Sequence, residues 1–282
     1  MPPAPQLVSG LSEIASRYDA VLCDIWGVVH NGRAAHQEAC EALVRFRETG
    51  RPVVLISNAP RRSSAVIGQL DGLGVPREAW SGVVTSGDAT RSALQERSPG
   101  PVWAIGPERD ATLYEGLDLR FSGAEEAAFI CCTGLYDDRT ETGEDYRERL
   151  REPARRGLEL ICANPDRVVQ IGDRLIPCAG AIADVYEELG GTVIMEGKPY
   201  APIYDLALAA LGPVDPSRVL AIGDAVATDV LGANNRKLDC LFVAEGIHGE
   251  DLNGGRDPEA ARALLAARGA HAAFLAPRLA WG

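Results

Sequence analysis

Short apolar runs that end at Gly, Ser, Asn or Asp alternate with amphipathic segments along this chain, and that alternation limits the fold more than any other feature. Each run is too short to be a helix, and each following segment has helical periodicity, which is the pattern of a parallel α/β sheet. AVLCDIW at 20–26 reads as a strand, and HQEACEALVRFRETG at 36–50 as a helix closed by Gly50. RPVVLISNAPR follows as a strand ending near Ser57, then a helix over 62–71, then GVVTSGD at 82–88 as a strand breaking into a helix. PVWAIG, AAFICCTG and LELICANPD continue the series, as do TVIMEGKPY, RVLAIGDAVATDV and LDCLFVAEG.

Pro99-Gly100-Pro101 is the most linker-like tripeptide, and Gly190-Gly191 marks a second break. The reading is an α/β protein with a Rossmann-like parallel-sheet core, 1–97 plus 191–282, and an inserted α/β domain over 98–190. A length of 282 residues suits one large or two unequal domains.

The formal net charge of −12 excludes an ordinary nucleic-acid binder, because phosphate contacts need clustered Lys and Arg. Seven scattered Cys form neither a CxxC pair nor an even framework, so reduced thiols in a cytoplasmic protein are expected. MPPAPQLVSG lacks the basic and apolar regions of a secretion signal, and no stretch reaches ~18 apolar residues, so no membrane partner is expected.

Four pieces fall at strand carboxyl ends, where open parallel sheets hold their ligands: Asp24, Ser57-Asn58, Gly197-Lys198-Pro199, and Gly223-Asp224 with Asp229. Carboxylates, a Lys and a Ser together suit phosphoryl transfer. Asp24 would attack phosphorus, since a carboxylate nucleophile needs no base. Asp24 and Asp224 would hold Mg²⁺, while Lys198 and Ser57 would meet the equatorial oxygens. Each piece alone has a plainer reading: a turn-forming Asp, a solvated Lys, an N-capped helix.

In this order, the pieces make the chain resemble the haloacid dehalogenase superfamily of phosphohydrolases. It is most similar to the type IIA-capped branch of N-acetylglucosamine-phosphate phosphatase-like and nitrophenylphosphatase-like enzymes. CDIWGVVHNG is similar to the nucleophile motif, ISNAPR to the Ser/Thr motif, GKP to the Lys motif and IGDAVATDVLGA to the acidic motif. ANPD at 163–166 with IPCAGAIA resembles the inserted cap, and TSGDAT at 85–90 the core segment before it. The resemblance implies Mg²⁺-dependent hydrolysis of a small phosphorylated metabolite through an aspartyl-phosphate. It implies Asp24 as nucleophile, with Ser57, Asn58 and Lys198 on phosphate. Asp224 would sit on Mg²⁺ with Asp24 and the Trp26 carbonyl, Asp229 would support the site, and Asp166 would face the substrate. Related caps pair, which extends the expectation to a homodimer.

Trp26 departs from this pattern. The family's phosphatases carry there a second Asp that protonates the leaving oxygen and later activates water. An indole does neither. Dehalogenating members carry an aromatic there, but the retained GDAVATD argues against that reading, and no Lys lies in 98–190 for the Schiff-base route of phosphonate-cleaving members. His30, Asp88 and Asp166 are the alternatives for the acid, against a plainer reading of His30 packed in a turn beside Asn31-Gly32. His36, His248 and His271 are read as structural. Trp26 is read as a packed lid over the phosphate site, with a substrate-stacking platform as the alternative, and Gly27 as the tight turn after the nucleophile. Loss of the acid leaves a second function open, a phosphate-ligand binding or regulatory protein with little turnover.

Overall fold

The computed structural model describes residues 2–171, 174–244, 252 and 254–282. Its strands in chain order are β1 (Gln6–Leu7), β2 (Ala20–Asp24), β3 (Val53–Ser57), β4 (Gly82–Thr85), β5 (Val102–Ile105), β6 (Phe129–Cys132) and β7 (Glu159–Cys162). After these come β8 (Val168–Ile171), β9 (Arg174–Pro177), β10 (Thr192–Met195), β11 (Val219–Gly223), β12 (Asp239–Val243) and β13 (Phe274–Ala276). The chain divides into two compact units, one of residues up to Ser57, Ile67–Val84 and Lys198 onward, the other of Asn58–Val66 and Thr85–Gly197.

The first unit carries a seven-stranded sheet in the order β1-β13-β12-β11-β2-β3-β4. β2 is buried along its whole length, as a strand covered on both faces must be, and AVLCD offers no alternation to expose. It runs parallel to β11 on one side and β3 on the other. From β2 the chain works outward through β3 and β4, and from β11 outward through β12 and β13. β2 and β11 therefore flank the point where strand order reverses, the place where open α/β sheets leave a crevice beyond their carboxyl ends.

The expected strand at 20–26 stops at Asp24, because Gly27 takes φ +86° and turns the chain. The expected helix at 36–50 runs Gln37–Glu48 with Gly50 at φ +83°.

The second unit has a parallel four-stranded sheet, β10-β7-β6-β5, and the antiparallel hairpin β8-β9. Strand alternation splits its core between two faces. Trp103, Ile130, Cys132, Leu160 and Cys162 pack in one cluster, and Val102, Phe129, Cys131 and Ile161 in the other. Cys131-Cys132 thus serve opposite faces as small hydrophobes, and all seven cysteines are free and buried.

This unit is wider than the 98–190 segment read from the sequence. The helix Ser86–Glu96 belongs to it through Ala93 and Leu94, which pack on Val102, Phe129 and Ile161. At the other end, β10 pairs with β7. Pro99-Gly100-Pro101 is a turn within the unit, with the Gly100 N–H donating to the Arg97 carbonyl at 2.9 Å. No helix among the described residues is long and apolar enough to cross a membrane.

Candidate active site

Asp24 ends β2, and the β2–β11 register brings Cys23 opposite Ile222, so Asp24 lies beside Gly223 and the turn to Asp224. Lys198 completes the cluster from the segment before the helix Ala201–Leu211. Its Nζ donates to Asp24 Oδ1 at 2.5 Å and to Asp229 Oδ1 at 2.7 Å. The second Asp229 oxygen accepts from the Ala225 N–H at 3.1 Å, which ties Lys198 to the turn after β11. Asp24, Asp224 and Asp229 each offer an oxygen within 4.8 Å of the others, and all four charged residues are 5% exposed or less.

Two glycines make this closeness possible. A Cβ on Gly27 would stand 2.2 Å from Asp224 Oδ2, and one on Gly223 would stand 2.2 Å from Asp229 Cβ.

Three buried carboxylates against one ammonium leave an excess of two negative charges in a dry place, which is costly unless a cation or protons compensate. The titration behaviour follows. Burial first, and then the Asp229 charge, push the Asp24 carboxyl up to about 7 against the pull of Lys198. Burial and the charges of Asp24 and Asp229 also push Asp224 well above the carboxylate range. Burial works against the Lys198 charge, but Asp229 and Asp24 outweigh it and hold the ammonium above its ordinary range. A carboxylate-rich, oxygen-only donor set of this charge fits a hard divalent cation.

Ser57 ends β3, the strand next to β2. Asn58 belongs to the second unit, where its Nδ2 donates to Asp166 Oδ1 at 3.0 Å. Asp88 is a helix cap: its Oδ2 accepts from the Thr85 N–H at 3.1 Å, its N–H returns to Thr85 Oγ1 at 3.0 Å, and Oδ1 accepts from Ser63.

Trp26 is half-buried and meets His30 edge-on, with ring centroids 5.1 Å apart at 79°. His30 is 2% exposed, and its Nδ1 accepts from the Gly32 N–H at 3.0 Å. Burial and the nearby His36 lower its pKa to about 4, so at neutral pH it is an uncharged imidazole packed in a turn, the plainer of the two readings. His36 stands at the N-terminus of the helix Gln37–Glu48, and His271 is exposed. His248 lies outside the described residues.

Sequence reasoning missed Tyr204. Its hydroxyl sits 3.4 Å from the Asp229 carbonyl oxygen, in a notch that a Cβ on Gly232 would close at 2.3 Å. Asp229 lies in a π-helical turn, Val226–Val230, a rare form that is frequent at functional sites. The available signal was a single tyrosine in the run PIYDLALAAL, which is apolar apart from it and Asp205.

Residues 21–120 match the haloacid dehalogenase-like hydrolase family model, and residues 195–270 match a HAD-hydrolase-like model. A crystal structure of a haloacid dehalogenase-like family hydrolase from Brucella suis is 47% identical, with 91% of this chain and 97% of that one covered, at a TM-score of 0.83. The 5'-nucleotidase YutF of Bacillus subtilis is 28% identical over 82% of this chain and 88% of its own length. A glycerol phosphate phosphatase from Mycobacterium tuberculosis, in complex with magnesium, is 26% identical over 83% of this chain and 70% of that one, at a TM-score of 0.66.

Proposed function

This chain belongs to the haloacid dehalogenase-like hydrolase family, and from that premise we propose that it is a Mg²⁺-dependent phosphohydrolase of small phosphorylated metabolites. The observation that carries the reading is the Lys198 bridge between Asp24 and Asp229 at the β2–β11 switch point. Relatives named as a 5'-nucleotidase and a glycerol phosphate phosphatase support the substrate class, and the magnesium complex of the latter supports the cation.

Asp24 is the nucleophile: one carboxylate oxygen bonds to phosphorus and forms an aspartyl-phosphate. Lys198 orients that carboxylate and offers positive charge to the phosphoryl oxygens, where charge collects in the transition state. Asp229 keeps Lys198 in place and does not touch substrate. Ser57 and Asn58 complete the phosphate contacts, and Asp166 is the substrate contact of the second unit. Asp24, Asp224 and the Trp26 carbonyl would hold Mg²⁺, which when bound neutralises phosphate charge.

A second reading, a phosphate-binding protein with little turnover, draws on one observation: Trp26 stands where the acid would be. Phosphate release from a panel of phosphomonoesters with and without Mg²⁺, for the parent and Asp24→Asn, separates the two. Mg²⁺-dependent release that the variant lacks is the expected result. Binding of phosphate mimics with no release from any ester favours the second reading.

A further inference from the structure

The loop after Asp24 seats the Trp26 indole firmly. Trp26 and His30 are paired by a backbone bridge, and the Gly27 N–H donates to the His30 carbonyl at 2.8 Å. Gly32 has φ +81°, and a Cβ there would stand 2.5 Å from Cη2 of the indole, so only glycine leaves room for the ring. The Gly32 N–H in turn occupies His30 Nδ1.

None of these groups is an acid. An imidazole that accepts at Nδ1 is the neutral form, with its remaining proton on Nε2, and an indole N–H is not released at neutral pH. The ammonium of Lys198 is shared between two carboxylates, and both Asp229 oxygens are engaged.

Resting on the phosphohydrolase reading, we propose that Trp26 is a specificity-determining residue: the site takes aryl and acyl phosphates and discriminates against alkyl phosphates. In the first step an Asp24 oxygen bonds to phosphorus as the bond to the leaving oxygen breaks, and the electron pair departs with that oxygen. A phenolate or carboxylate carries the pair unprotonated, because the parent acids have pKa values of about 10 and 4. An alkoxide is nearly as basic as hydroxide, whose conjugate acid, water, has a pKa of about 15.7, and departs poorly without a proton. In the second step a water oxygen bonds to phosphorus while the bond to Asp24 breaks, returning that pair to the carboxylate. One water proton passes to a phosphoryl oxygen and the other stays on the attacking oxygen, so phosphate leaves as dihydrogenphosphate, which then gives up a proton to solvent.

The test is a leaving-group series assayed with Mg²⁺: aryl phosphates of graded phenol acidity, acetyl phosphate and glycerol phosphate. General acid assistance is typically worth ~10²–10⁴-fold. The parent should therefore lose at least ~100-fold in kcat/KM between p-nitrophenyl phosphate and glycerol phosphate. Trp26→Asp should raise the glycerol phosphate rate by more than ~10-fold relative to the aryl rate. Trp26→Phe keeps a ring in the seat without adding an acid, and should retain the parent's slope. If Trp26→Asp does not fold, the parent and Trp26→Phe slopes decide. A parent that turns over glycerol phosphate as readily as aryl phosphates overturns the proposal while leaving the phosphohydrolase reading intact. Absence of turnover across the whole series sinks both.

Discussion

Lys198 and Asp24 are 174 residues apart in sequence and 2.5 Å apart in space, both almost wholly buried. Removing one partner of such a pair costs more than the pair contributes, because an uncompensated charge stays behind. Lys198→Met should therefore cost about 3–5 kcal/mol at neutral pH along with activity. Without Lys198, which pulls both down, Asp24 and Asp224 keep folded pKa values above their unfolded ones. The folded state then binds more protons, and stability falls as pH rises from the ordinary carboxylate range. Urea unfolding in EDTA at pH 5 and pH 8 should show the larger deficit at pH 8. An equal deficit at both would mean that Lys198 acts by packing alone.

Asp224 takes part in the same repulsion. Asp224→Asn removes one negative charge with little change in volume, so the metal-free protein should become more stable at neutral pH. The same variant should lose the rise in Tm that millimolar Mg²⁺ gives the parent, since a ligand stabilises only the state it binds. Thermal melts with and without Mg²⁺ check both halves. A variant with the parent's full Mg²⁺ shift removes Asp224 from the cation site.

The strand-end residues were legible in the sequence because local rules suffice there. An apolar run, then Asp24, then Gly27 states a strand, a carboxylate and a turn without tertiary information. The breadth of the second unit was not legible. Pro99-Gly100-Pro101 has linker chemistry, but whether a turn joins two units or two elements of one depends on what Leu94 packs against, and that is a long-range fact. Asp88 shows the same limit from the other side. Its spacing from Thr85 was a capping box in plain view, yet a carboxylate near a site draws a functional reading until its partners are seen.

Tyr204 and Gly232 should act as a coupled pair. Gly232→Ala drives a methyl to within 2.3–2.7 Å of the Tyr204 ring end, and overpacking of this kind costs typically ~1–3 kcal/mol. The strain falls on the turn that carries Asp229, so kcat should drop more than KM changes. Tyr204→Phe loses only a long hydrogen bond, worth about 1 kcal/mol or less. Tyr204→Leu clears the notch, and combined with Gly232→Ala should show less than the sum of the single effects. Additive losses in stability and kcat would mean that the notch does not carry the coupling.

Glu196 gives the second unit its own pH dependence. It lies just past β10, is 5% exposed, and its carboxyl is raised to about 6, chiefly by burial, with Arg97 opposing and Glu96 adding to the rise. A carboxyl with a raised folded pKa is protonated more readily in the folded than in the unfolded chain. Its penalty is absent below the unfolded value of about 4.5, grows between there and about 6, and is complete above. The rise corresponds to about 2 kcal/mol at neutral pH, an order-of-magnitude figure. Glu196→Gln keeps the shape and removes the titration. The variant should match the parent near pH 4 and exceed it by about 1–2 kcal/mol at pH 7.5 in denaturant unfolding. A constant difference across that window would mean that Glu196 stays charged when buried, held by Arg97.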